Sequence, residues 1–152
     1  MGASNSKVAW LRHGRVIVLA AGALAIVSLS WAAPAGAGTS RISISSAGAE
    51  GNGRSSYPAI SADGRFVVFE SDASNLVGGD TNGVRDIFVR DRSTGKTTLV
   101  SRSSAGVQGN GGSLAAAISA DGRFVVFESD ASNLVGGDTA GVRDIIVRGP
   151  LW

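Results

Sequence analysis

The chain has 152 residues, with 14 Lys and Arg against 12 Asp and Glu, one histidine and no cysteine. Three of the basic residues and none of the acidic ones fall within residues 1–37, so the rest of the chain carries a balance of −1 and offers no basic patch for nucleic acid or anionic lipid. Without cysteine no disulfide can staple an exported chain, and with His13 confined to the first segment the remainder can build no Ser-His-Asp, Cys-His or His/Cys zinc site.

That first segment has the pattern of an export signal. Lys7, Arg12 and Arg15 form a positive start, and Val16 to Leu29 is an apolar run of 14 residues. Ala33-Pro34-Ala35 and Ala35-Gly36-Ala37 both fit a small-residue cleavage site. The reading is an apolar signal helix over residues 1–37, removed after Ala35 or Ala37, with the product periplasmic or secreted and no longer attached to the membrane. A retained anchor is the competing reading. It is the weaker one, because a span needs about 20 apolar residues, and even extended to Ala33 the run falls short and includes Ser28 and Ser30.

Beyond the signal, Gly38 to Ser40 reads as a flexible lead-in and Arg41 to Ser45 alternates as a half-buried strand would. Gly48 to Gly53 reads as a loop, Tyr57 to Ile60 as extended chain, and Asp63-Gly64 as a tight turn with its glycine at positive φ. Arg65 to Ser71 is apolar on both faces, the pattern of a strand covered on both sides. A turn-rich stretch from Ser74 to Gly83, anchored by Leu76 and Val77, leads to a strand at Asp86 to Arg90, a hairpin turn at Asp91 to Lys96, and a β-prone run from Thr97 to Arg102.

The order then repeats. Ile60 to Thr81 returns without a change as Ile118 to Thr139, 22 residues at an offset of 58, and Ser46 to Gly53 (SAGAEGNG) returns as Ser104 to Gly111 (SAGVQGNG). Strands are expected again at Ala115 to Ser119, Arg123 to Ser129 and Asp144 to Arg148. No stretch after the signal has a helical period, so the exported part reads as all-β, with residues 38–98 as the first repeat and 99–152 as the second. A period of this size built from short strands and Gly/Asp/Ser turns points to an array of small sheets.

Ile60-Ser61-Ala62-Asp63-Gly64-Arg65-Phe66-Val67-Val68-Phe69 resembles the S-P-D-G-x-x-(apolar)-x-F motif of TolB-type, WD-like β-propeller repeats. Asp86 to Asp91, Thr94-Gly95 and Thr98 to Ser101 are similar to that family's next two strands, and the resemblance covers Arg41 to Arg148. It implies two propeller-type blades of antiparallel strands and a platform for other proteins. Ala62 and Ala120 stand where the family prefers proline. After Arg148 the repeat gives way to Gly149-Pro150-Leu151-Trp152, with Gly149 in the place of Asp91 and no counterpart of the run from Thr97 to Arg102. Propellers close with about four to eight blades, so two blades read as an incomplete propeller, whether by truncation, frame change or excision from a longer array. One face of each blade is expected to stay open, and self-association, aggregation or marginal folding follows.

Two constellations invite chemistry. Glu70 with Asp72, and Glu128 with Asp130, are i, i+2 carboxylate pairs of the kind that could serve glycoside hydrolysis. Their place where a strand gives way to a loop favours a structural role. Asp80, Asn82 and Asp86 have the spacing of the first oxygen ligands of a calcium loop, but the closing bidentate acid is missing and Ala140 replaces Asn82 in the second copy. An Asx-type turn, with Asp80 bonding nearby backbone amides, is the favoured reading. Arg85-Asp86 and Arg143-Asp144 are expected to pair with acids of a neighbouring loop as register devices. No catalytic, cofactor-binding or metal-binding residue is therefore assigned, and no cofactor is expected. The reading is an exported, non-enzymatic β-propeller-type binding or scaffold module with a protein partner that the sequence does not name. The alternatives are the propeller portion of a secreted hydrolase and a surface repeat with weak calcium binding.

Overall fold

Polar turn clusters of identical composition reverse the chain once in each repeat. Ser61 Oγ donates to Asp63 Oδ1 at 2.5 Å and accepts from the Phe66 amide at 3.0 Å, while Asp63 Oδ1 also accepts from the Arg65 amide. Ser119, Asp121, Arg123 and Phe124 repeat the arrangement. Gly64 and Gly122 complete the two turns at φ +70° and +74°, in the left-handed region.

The computed structural model describes residues 38–138 and 141–152, so the signal segment expected over residues 1–37 lies outside the described residues. Among the described residues seven strands form: β1 (Ser55–Ile60), β2 (Phe66–Ser71), β3 (Asp86–Asp91), β4 (Lys96–Leu99), β5 (Ser113–Ile118), β6 (Val125–Ser129) and β7 (Asp144–Arg148). They make two antiparallel sheets, one of four strands in the order β1-β2-β3-β4 and one of three in the order β5-β6-β7. β1 and β5 each carry a bulge, with Tyr57 and Ala115 at φ +49° and +55°.

The sheets are joined by a common apolar core. Phe66, Val68, Ile87 and Val89 of the first sheet meet Val125, Phe127, Ala131 and Leu134 of the second repeat, with Val100 among them. Each such side chain, once buried, contributes roughly 1.5–3 kcal/mol relative to exposure. The opposite face of the first sheet, expected to be open, is covered: Phe69 and Phe88 pack with Ala73, Leu76 and Leu99, flanked by Ile42 and Val77. The loop after β2 supplies most of this cover, held down by Asn52, whose amide donates to Asn75 Oδ1 at 2.9 Å and whose Nδ2 donates to Ser74 Oγ at 3.0 Å. Among the described residues the second sheet keeps an open face, where Phe124, Val126, Ile145 and Val147 are 42%, 37%, 67% and 66% exposed.

Two expected strands come out differently. Arg41 to Ser45 forms a single bridge, Ile44 with Glu50, because a turn closed by the Ser45 amide on the Ala49 carbonyl folds it back. Its carbonyls are taken by side chains of the first sheet, with Thr97 Oγ1 donating to Ile44 O at 2.6 Å and Arg90 Nη1 to Ser45 O at 2.9 Å. The β-prone run after Thr97 stops pairing as a strand at Leu99. Val100 then bonds Ile87 O through its amide at 2.7 Å and turns toward the second repeat. After β7, Leu151 packs against the inter-sheet core, and the Trp152 ring stacks on Phe66 at 3.7 Å between centroids.

Candidate functional site

Asp80, Asn82 and Asp86 do come together, at the start of β3, but as acceptors and donors for one another and for the second repeat. Asp86 is fully buried. Its Oδ1 accepts from Ser101 Oγ at 2.5 Å, and its Oδ2 accepts from Asn82 Nδ2 at 2.9 Å and Gln108 Nε2 at 3.0 Å. Asp80 Oδ1 accepts from the same Gln108 Nε2 at 2.8 Å. The Asx-type turn exists, though Asn82 makes it, its Oδ1 accepting from the Val84 amide at 3.2 Å. Neutral N–H and O–H donors thus point at the oxygens that a calcium ion would need. Among the described residues no group of three or more His, Cys, Asp or Glu side chains is placed to hold a metal ion. Burial pushes the Asp86 carboxyl above its ordinary range, and the hydrogen bonds from Ser101, Asn82 and Gln108 oppose that shift.

Each carboxylate pair closes on one arginine. Arg85 reaches Asp72 through Nε at 2.8 Å and Nη2 at 3.0 Å, and its Nη1 lies 3.5 Å from Glu70 Oε2. Arg143 does the same with Asp130 and Glu128. The guanidinium bonds hold both Asp72 and Asp130 below the usual carboxylate range, so neither is an acid ready to donate a proton near neutral pH. Glu70 is buried between the sheets, where its Oε1 accepts from the amide of the bulge residue Ala115 at 2.5 Å. These carboxylates fasten β2 and β6 to the loops beside them, the register role expected for Arg85-Asp86 and Arg143-Asp144, with Asp72, Glu70, Asp130 and Glu128 as the partners.

Sequence reasoning missed Ser101 and Gln108, the two side chains that bring the second repeat to Asp86. No local signal marked them: both lie outside the 22-residue identity, and the offset of 58 sets Ser101 opposite Ser43 and Gln108 opposite Glu50 without pointing to Asp86. Along the outer edge of β7 runs a groove of about 450 Å³, lined by Val135, Asp138, Asp144, Ile145 and Val147 among others. Comparison with known protein families, with curated proteins and with solved structures finds no match.

The acids have a consequence for pH dependence. Asp63, Asp72, Asp91, Asp121 and Asp130 are all held below their ordinary range, Asp91 most strongly, by the Arg65 guanidinium. A carboxyl lowered by folding stabilises the native state above its unfolded value, and that contribution is lost as pH falls through the folded value. Asp86 has the opposite sign, since its raised value favours the native state at low pH and the contribution is lost as pH rises. With five groups against one, the urea midpoint should drop on going from about pH 7 to about pH 3, below the ordinary carboxylate range. A midpoint that rises on acidification would mean that these pairs do not form in solution.

Proposed function

We propose that the chain is an exported, non-enzymatic binding or scaffold module whose two sheets are blades of a β-propeller-type array, in line with the TolB-type resemblance of Ile60 to Phe69 and Ile118 to Phe127. The observation that carries this reading is the engagement of the acidic side chains. Every carboxylate singled out for chemistry is bonded to an arginine, an amide or a hydroxyl, while the second sheet presents four apolar side chains to solvent. Apolar surface of this kind is what interaction sites offer.

The test has two arms. Intact-mass measurement on material recovered from the medium or periplasm should give a chain beginning at Gly36 or Gly38. A chain that keeps Met1 and stays with the membranes would overturn the exported reading. Hydrolysis of a glycoside substrate by the purified chain, lost in Glu70→Gln or Glu128→Gln, would overturn the non-enzymatic one.

A further inference from the structure

The offset of 58 places Lys96 to Ser101 (KTTLVS) opposite Gly38 to Ser43 (GTSRIS). In the first sheet the former segment supplies the outer strand. β4 pairs with β3 in the register Phe88↔Leu99, Val89↔Thr98, Arg90↔Thr97 and Asp91↔Lys96. Just beyond it, Ser101 Oγ accepts from the Ile87 amide at 3.1 Å and donates to Asp86. In the second repeat β7 has no strand on its outer side among the described residues, and the carboxylate of Asp144, the counterpart of Asp86, receives no side-chain donor from them. The chain's own end turns away to Phe66. Its own Gly38–Ser43 segment leads to Ile42, which packs on the face of the first sheet turned away from the second.

The two faces of the junction agree with this. Phe66, Val68, Ile87 and Val89 are buried under the second repeat, and their counterparts Phe124, Val126, Ile145 and Val147 are the open face. On the other side of the junction, Ala116 and Ile118 pack against the inter-sheet core, whereas the counterpart Ile60 is 57% exposed. The Ala115 bulge amide donates to Glu70. The Tyr57 bulge has the same left-handed backbone, and Glu128, the counterpart of Glu70, lies partly exposed on the second sheet.

We propose that copies of the chain join head to tail. Gly38–Ser43 of one copy lies along β7 of another as the fourth strand of its second sheet, with Ser43 Oγ donating to Asp144 and the Tyr57 amide donating to Glu128. The contact repeats between chains the junction that joins the two repeats within one. It is heterologous, and it closes into a ring when the rotation allows. With two sheets per copy, rings of about four to eight sheets need two to four copies. One residue opposes the register. Gln108 donates to Asp80 and Asp86, but its counterpart is Glu50, which meets Asp138 and Asp144 with only its ion-pair partner Arg41 to offset the charge. Glu50→Gln restores the donor and tightens the contact.

The inference rests on the binding-module reading and names one partner for it, a second copy. The absence of cysteine gives a clean test. The register pairs Ser40 with Val147, as Thr98 pairs with Val89. Mixing Ser40→Cys chains with Val147→Cys chains under mild oxidation should give a covalent dimer whose linking peptide joins positions 40 and 147. Both substitutions in one chain should give closed or laddered oligomers. Sedimentation should show association weakened about tenfold by Asp144→Ala, the scale of one hydrogen bond to a charged group, weakened by Ser43→Ala, and strengthened by Glu50→Gln. A chain that forms no 40–147 link, or only symmetric 147–147 links, overturns the proposal, as does association indifferent to Asp144 and Ser43. That failure would leave the binding-module reading standing, which falls instead on enzymatic activity or membrane retention.

Discussion

Gly122→Ala is expected to cost roughly 2–4 kcal/mol of stability, whereas Gly64→Ala costs about 1 kcal/mol, although the two glycines occupy the same turn in identical sequence. Their φ angles, +74° and +70°, impose the same left-handed strain on any side chain. The surroundings differ. A Cβ at Gly64 would meet nothing closer than Arg92 Nη1 at 3.6 Å, the mobile end of a long side chain. A Cβ at Gly122 would lie 2.4 Å from Cδ2 of Phe66, inside any tolerable contact. Phe66 cannot easily yield, because it is 2% exposed and stacked on Trp152. The extra cost is therefore overpacking at the junction of the sheets, added to a backbone term common to both sites. Urea denaturation of the two variants measures the difference. Equal losses would mean that the Gly122 turn does not pack on the first sheet.

That contrast marks what the sequence could and could not disclose. Asp63-Gly64, Asp121-Gly122 and the apolar runs after them specify local events, a reversal and an extended chain, and the strands β2, β3, β6 and β7 lie where those signals put them. The residues from Ile60 to Thr81 and from Ile118 to Thr139 are identical, yet Phe66 is buried and Phe124 is 42% exposed. Burial here is set by which sheet lies next door, which no local pattern encodes. Leu76 and Val77 were legible as anchors of the loop after β2, and they do pack over Phe69 and Phe88, but the same limit hid the share of that cover supplied by Ile42 from outside the strands. It also hid the folding back of Arg41 to Ser45, whose alternation reads as a strand but whose carbonyls serve Thr97 and Arg90. At the candidate site, Asp80, Asn82 and Asp86 were visible as a polar cluster. The donors that decide its character, Ser101 and Gln108, reach Asp86 from 15 and 22 residues away and could be found only through contacts between repeats.

Asp86→Ala should destabilise the chain by about 3 kcal/mol, and Asp144→Ala should stay within about 0.5 kcal/mol of the parent at protein concentrations low enough to keep the chain monomeric. Asp86 is wholly inaccessible and receives three side-chain donors, so its removal strands the buried Ser101 hydroxyl and leaves the Asn82 and Gln108 amides with only Gly109 O and Asp80 Oδ1 as acceptors. Part of that loss is returned, because burial already disfavours the charged carboxylate, which is why its titration is pushed upward. Asp144 begins the equivalent strand but stands at the rim of the open groove, and among the described residues no side-chain donor closes on its carboxylate. Two aspartates at equivalent positions of one repeat thus serve as each other's control, the first with its neighbours present and the second without. Comparable small losses at both sites would mean that Ser101 and Gln108 do not close on Asp86, and with that the template for docking a second copy at Asp144 would be gone.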